Sequence, residues 1–177
     1  MKDILLRIVG SQGVGEKDGD QIEFVTEGHY TRKEDGSILL SYEETELSGM
    51  EGCTTHLEVA GNRVRMSRSG EPVPVDTIME FEKGKRYNGL YETAYGAIDM
   101  EILTNDVLNK LIVHTSGEAS AAPLGADASP SGTSAAPLGA DIVQAPKGGL
   151  SGSLHIDYHI SLKGLGEVHN RLDVEIL

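Results

Sequence analysis

The segment Ser153 to Leu162 alternates between apolar and polar side chains without a break over ten positions. Its apolar positions are Leu154, Ile156, Tyr158, Ile160 and Leu162. Successive side chains of a strand point to opposite faces, whereas a helix would scatter this pattern around its circumference. The pattern therefore predicts a β-strand with one apolar and one polar face.

The same alternation recurs along most of the chain. Apolar residues share a face in runs such as Ile22 to Tyr30, Ile38 to Tyr42 and Ile98 to Ile102. Turn-forming pairs separate the runs, for example Asp35-Gly36, Gly61-Asn62 and Asn105-Asp106. Such a chain predicts about ten short antiparallel strands, which a barrel or a sandwich would bury, and we favour a closed or nearly closed barrel. Gly28, in the middle of a long strand, is typical of a bend at a barrel corner.

One segment, from about residue 115 to 150, departs from this pattern. It holds nine Ala, six Gly, five Ser and four Pro, which offer too little apolar bulk to form a core. The octapeptide SAAPLGAD occupies 120–127 and recurs at 134–141. We interpret the segment as a flexible insertion, enlarged by duplication, in a single β-barrel domain spanning 1–177. A partner-binding motif is the alternative interpretation of the repeat.

The charge and composition of the chain disfavour several kinds of binding partner. It has 15 basic and 28 acidic residues, a net charge of −13, which disfavours nucleic acid and anionic membranes. No apolar run has the length of a membrane span, and no signal-peptide core follows the first residues. Cys53 is the one cysteine, so no disulfide can form within the chain. These features predict a cytoplasmic protein, and no motif calls for a cofactor.

Several separated motifs resemble those of the YwiB-like family of bacterial proteins. They are SYEETELSGMEGCTT at 41–55, FEKGK at 81–85, YETAYG at 91–96, VTEG at 25–28 and the strand from Val64 to Gly70. The resemblance covers everything but the insertion and implies a calycin-like β-barrel, akin in architecture to the lipocalins. It supplies no function. The chain departs from the family pattern at Ala94, where proline is expected, and in the insertion itself.

Counting by two along the predicted strands places polar side chains inside the barrel. From Ile38 and Leu40 the count reaches Tyr42 and Glu44, and from Val64 and Met66 it reaches Arg68. A buried carboxylate and guanidinium should pair, because an isolated buried charge is very costly. With Tyr91 from a later strand, Tyr42, Glu44 and Arg68 form a predicted ligand-binding cluster in an otherwise apolar interior. The alternative is a structural network that fills one end of the barrel.

The sequence leaves two classes of function open. The leading hypothesis is non-catalytic binding of a small amphipathic or apolar molecule inside the barrel. The alternative is a protein–protein interaction module that uses its acidic exterior or its last hairpin. With either function we expect a monomer or a homodimer. An enzyme is disfavoured, because Cys53 and His56 would point to opposite faces of a strand and no nucleophile–base pair is evident.

The polar face of the last hairpin carries His155, Asp157 and His159. Pairing Leu154 with Ile176 would place Asp157 opposite Asp173. Neighbours two apart on a strand are widely spaced, so a solvated polar face is favoured over a metal site.

Overall fold

The computed structural model describes residues 1–13, 19–70, 77–93, 95–115 and 149–177. Within these ranges the chain forms eleven β-strands and one 3-10 turn, and no α-helix. The strands are β1 Lys2–Gly13, β2 Asp20–Arg32, β3 Ile38–Glu43, β4 Cys53–Ala60, β5 Arg63–Gly70, β6 Thr77–Glu82, β7 Arg86–Thr93, β8 Gly96–Asn109, β9 Ile112–Val113, β10 Leu150–Leu162 and β11 Gly166–Ile176, and the 3-10 turn is Glu46–Ser48. The predicted insertion lies, from 116 to 148, outside the described residues.

Ten of the strands form one antiparallel sheet that is nearly closed into a barrel. Their order is β6-β5-β4-β3-β2-β1-β11-β10-β8-β7, and the two-residue β9 pairs with β10 at its margin. The end strands β6 and β7 contact each other across the remaining gap. All strands of this sheet except β6 and β7 are paired on both sides, and the contact between these two covers the edges that an open sheet would expose. The predicted all-β barrel is confirmed. No helix in the described ranges is long and apolar enough to cross a membrane.

The alternating pattern of the sequence builds the barrel interior. Inward positions of nearly every strand supply side chains that are almost fully buried. The largest of them are Phe81, Leu6, Leu40, Leu57, Met66, Ile102, Leu154 and Ile156. Apolar burial of this extent supplies the main stabilisation of the fold. Met66 also lines a cavity, whereas the other side chains of this set do not, so one part of the interior is filled by side chains and another part is open.

Two details of strand pairing differ from the sequence prediction. In the last hairpin Leu154 lies opposite Val174, not Ile176, and Asp157 lies opposite Arg171, not Asp173. The turn is tighter than expected, because Leu162 already pairs with Gly166 and only 163–165 connect the strands. The shift of two positions leaves every side chain on its predicted face.

The predicted turn at Asn105-Asp106 is instead a β-bulge within β8. Asp106 pairs with Asp157 and Thr104 with Tyr158, so Asn105 has no opposite residue on β10. A bulge of this kind adds one residue to a strand without ending it, and it increases the local twist. The two polar residues that suggested a turn therefore mark an irregularity in a strand that continues to Asn109.

Gly28 is required because another strand approaches its backbone closely. A Cβ atom at this position would lie 2.6 Å from the Ser41 carbonyl oxygen and 2.9 Å from Leu6 Cδ1. Ser41 precedes Tyr42, which lies directly opposite Gly28 on β3. The glycine thus permits β3 to approach β2 closely, immediately beside the strand that carries the candidate site.

Candidate functional site

A cavity of about 460 Å³ lies at one end of the barrel and is partly open to solvent. Its wall is formed by side chains of β1, β2, β3, β5, β6, β7, β10 and β11, and its rim includes the exposed Leu47 and Leu165. Leu47 belongs to the 3-10 turn after β3, and Leu165 to the turn between β10 and β11. The volume falls within the range of small-molecule sites, roughly 300–1,000 Å³.

The four side chains predicted to form a site all line this cavity. Two of them come from the region of β3, where Tyr42 lies in the strand and Glu44 directly follows it. Arg68 belongs to β5 and Tyr91 to β7. Glu44 lies just beyond the last residue of β3, where its backbone N–H donates to the Cys53 carbonyl oxygen and prolongs the inward alternation. The structure therefore brings together the residues that the sequence placed on the inner face.

The predicted pairing of Glu44 with Arg68 is present. Arg68 Nε lies 3.5 Å from Glu44 Oε1, and the two side chains are 23% and 3% exposed. Thr55, opposite Arg68 on β4, connects them: its hydroxyl donates to Glu44 Oε1 at 2.5 Å and accepts from Arg68 Nε at 3.3 Å. The buried carboxylate is thus compensated by one cation and one hydroxyl, as a charge in a protein interior requires.

Two tyrosines next to this ion pair are held in the neutral form. Burial raises the pKa of the Tyr42 hydroxyl well above its usual value, and the Glu44 carboxylate adds to the effect, while Arg68 opposes it. Burial also raises the pKa of Tyr158 on β10, against a smaller opposing effect of Arg68. Neutral hydroxyls can donate hydrogen bonds, so the site holds donors across the whole physiological pH range.

Tyr91 stands apart from the hydrogen-bonded cluster. It is half-buried and packs against the core at the cavity wall, and no hydrogen bond in the described ranges joins it to Tyr42, Glu44 or Arg68. Its hydroxyl is therefore available to whatever occupies the cavity.

Three further polar residues belong to the site although the sequence reasoning did not select them. Thr55 occupies an inward position of β4 between Cys53 and Leu57, so the alternation could have identified it. Tyr158 was counted only as an apolar position of β10. Asn170 is the one polar residue in the apolar series of β11, and it lines the cavity opposite Tyr158. An inward polar residue in an apolar series is the signal that would have found it.

Most of the rest of the cavity wall is apolar, although Ser11, Gln12 and Ser48 also line it. Aliphatic, aromatic and thioether side chains from six strands provide this apolar surface. They are Ile8, Ile22, Phe24, Met66, Met79, Ile160, Leu162 and Leu172. Charged residues on the wall are few: Glu44 and Arg68 inside, with Asp20 and Arg171 among the exposed lining residues. The cavity combines a long apolar surface with one compact polar cluster.

The outer face of the last hairpin carries paired charges, not a site open to a ligand. Asp157 accepts from His169 Nε2 at 2.6 Å, from Arg171 Nε at 3.1 Å and from Asn105 at 2.7 Å. Partial burial alone would raise the pKa of Asp157, but the hydrogen bonds from Asn105, His169 and Arg171 hold it below its usual value. No group of three metal-ligating side chains with suitable geometry occurs in the described part of the chain.

Cys53 and His56 lie on opposite faces of β4, as predicted. Cys53 is buried in the interior, whereas His56 is on the outer face, where its Nδ1 lies 2.8 Å from Ser41 Oγ. The thiol therefore has no access to the imidazole that could act as its base.

Comparisons with known proteins agree with this architecture. Residues 6–120 match the model of DUF1934, described as a domain of unknown function. The structure is similar to the crystal structure of the ywiB protein from Bacillus subtilis, with a TM-score of 0.57 and 16% identity over 99% of this chain and 92% of that chain. No curated protein matches the chain. The resemblance to the YwiB-like family noted from sequence motifs is thus confirmed.

Proposed function

We propose that this chain, which belongs to the DUF1934 family, binds a small, largely apolar molecule inside its barrel without transforming it chemically. The observation that carries the proposal is the 460 Å³ cavity itself. A barrel with a purely structural interior fills its centre with side chains, whereas here one part is filled and another is not. The ligand would then be surrounded by the strands of the barrel, as in calycin-like proteins.

The polar cluster supports a role beyond structure. A network that serves only to set strand register has no need to face a cavity, and well-packed apolar residues would stabilise a core at least as well. In this barrel the Arg68 guanidinium, the Tyr91 hydroxyl and the Asn170 amide all line the cavity wall. Small-molecule sites are commonly apolar pockets that contain a few polar groups directed toward the ligand.

The test uses a neutral fluorophore, 1-aminoanthracene, whose emission rises in an apolar environment. Ile160 lines the cavity from β10, so Ile160→Trp should fill part of it and abolish most of the fluorescence increase. Ser161 is the next residue on the same strand and points to the outer face, where its hydroxyl donates to Glu167, so Ser161→Trp is the matched control.

We expect a saturable fluorescence increase with the wild-type chain and with Ser161→Trp, and a much smaller one with folded Ile160→Trp. Circular dichroism melts establish that both variants are folded. The proposal would be overturned by a wild-type chain that gives no increase, or by an increase that Ile160→Trp leaves intact.

A further inference from the structure

The inference that follows rests on the proposed function and concerns the chemical class of the ligand. The two partners of the internal ion pair are unequally accessible from the cavity. Glu44 is 3% exposed and Arg68 is 23% exposed, and both line the same space. A molecule in the cavity therefore meets the cation of the pair, while the carboxylate is mostly covered.

The guanidinium also has unused donors. Its Nε makes the contacts with Thr55 and Glu44, and no protein partner of its two terminal nitrogens is found in the described ranges. A guanidinium presents its N–H groups in a planar fork that matches the two oxygens of a carboxylate. Arg68 contacts Glu44 through Nε alone and so does not form a bidentate ion pair with it. The terminal nitrogens of the guanidinium therefore remain for a second acceptor.

Neighbouring side chains add donors and no further charge. Tyr91, Tyr158 and Asn170 line the same cavity, and no hydrogen bond within the described part of the chain occupies their hydroxyl and amide groups. Burial keeps Tyr158 in the protonated, donating form. Most of the remaining wall is aliphatic and aromatic. The other charged lining residues in the described ranges, Asp20 and Arg171, are exposed, so Arg68 is the part-buried cation that the polar part of a ligand can reach.

We propose that the cavity binds monocarboxylic acids with an apolar body, with the carboxylate accepting hydrogen bonds from the terminal nitrogens of Arg68. The hydroxyl of Tyr158 is the second donor, and the apolar body lies along the wall formed by residues such as Ile22, Met66 and Leu172. The covered Glu44 carboxylate opposes the ligand's charge. The Glu44 carboxylate therefore weakens carboxylate binding, so removing its charge should increase the affinity, whereas changing Arg68 should decrease the affinity.

The test compares three ligands with one eight-carbon chain and different head groups: octanoate, 1-octanol and octylammonium. Isothermal titration calorimetry measures each with the wild-type chain, with Glu44→Gln, with Arg68→Lys and with Arg65→Lys. Arg65 is an exposed residue of the same strand and faces outward, so Arg65→Lys is the matched control for exchanging a guanidinium for an ammonium.

We expect octanoate to bind the wild-type chain about tenfold or more tightly than 1-octanol, because a charge-assisted hydrogen bond exceeds a neutral one. Glu44→Gln should tighten octanoate binding and leave 1-octanol unchanged, since it removes only the opposing charge. Arg68→Lys should weaken octanoate, since an ammonium lacks the planar fork. Arg65→Lys should leave octanoate affinity unchanged.

Equal binding of 1-octanol and octanoate would overturn the inference and leave the apolar cavity of the proposed function intact. Tighter binding of octylammonium, or weaker octanoate binding by folded Glu44→Gln, would also overturn it, because Glu44 would then be the recognising group. The proposed function fails separately, if none of the three ligands and no neutral fluorophore binds.

Discussion

Replacing Arg68 with methionine should destabilise the fold, because Glu44 would lose the one cationic partner that it has within the described ranges. The side chain of Glu44 is 3% exposed, and of its side-chain partners in the described part of the chain the Thr55 hydroxyl would remain after the substitution. Methionine preserves the length and most of the apolar contacts of the arginine stem, so packing changes little.

The structure sets the size of this loss. Breaking a fully buried ion pair costs about 3–5 kcal/mol, since one charge is left without a partner. Here the Nε–Oε1 distance is 3.5 Å and Arg68 is 23% exposed to the cavity, so the interaction is weaker than in a dry interior. We therefore expect the free energy of unfolding to fall by roughly 2–4 kcal/mol.

Urea denaturation followed by far-UV circular dichroism measures this change. In a Glu44→Gln background the same Arg68→Met substitution should cost under about 1 kcal/mol, because a neutral amide needs no cation. Arg65→Met, on the outer face of the same strand, should stay within about 0.5 kcal/mol of wild type. The reasoning is refuted if Arg68→Met costs less than about 1 kcal/mol, or if its cost is the same in both backgrounds.

Two further predictions concern the tyrosines and one glycine. The pKa values of Tyr42 and Tyr158 are raised, so the folded state holds these protons more tightly than the unfolded chain does. The free energy of unfolding should therefore not depend on these two groups below their ordinary pKa of 10.0, and it should fall as the pH rises above that value. Tyr42→Phe should make the urea midpoint fall less steeply with increasing pH between pH 9 and 11. A variant whose midpoint falls as steeply as that of the wild type would contradict this account. Gly28→Ala should cost about 1–3 kcal/mol in the same denaturation assay, since its Cβ would lie 2.6 Å from the Ser41 carbonyl oxygen. Gly10→Ala is the control, because its Cβ would meet only a flexible Ile22 side chain at 3.4 Å, and equal costs at the two positions would refute the steric explanation.

The inner and outer faces of the barrel could be predicted from the sequence because a strand has a period of two. Tyr42, Glu44 and Arg68 were placed by counting from apolar neighbours, and each lines the cavity. The same counting could not give the register of the last hairpin, since Leu154 opposite Val174 and Leu154 opposite Ile176 put identical faces inside. Register depends on turn geometry, which the Gly164-Leu165-Gly166 motif does not specify to the residue.

The composition of the site was harder to predict than its location. Asn170 interrupts an apolar series, and the sequence alone does not show whether such a residue meets solvent, a partner or a cavity. Thr55 bridges Glu44 and Arg68 only because β4 lies between their strands in the sheet, and strand neighbours cannot be read from an alternating pattern. Nor does a pattern of inward residues state whether they fill the space that they surround.

The pairing of β1 with β11 has a consequence for how the barrel comes into being. Leu6 lies opposite Ile176, so the first and last strands are neighbours although nearly the whole chain separates them. Hairpins such as β3–β4 can form during synthesis, but the cylinder can close only after β11 has left the ribosome. Contacts of such long range make folding slow, and until closure β1 presents an unpaired edge to other nascent chains. Chaperone demand during expression should therefore be concentrated in the interval between the synthesis of β1 and the release of β11 from the ribosome.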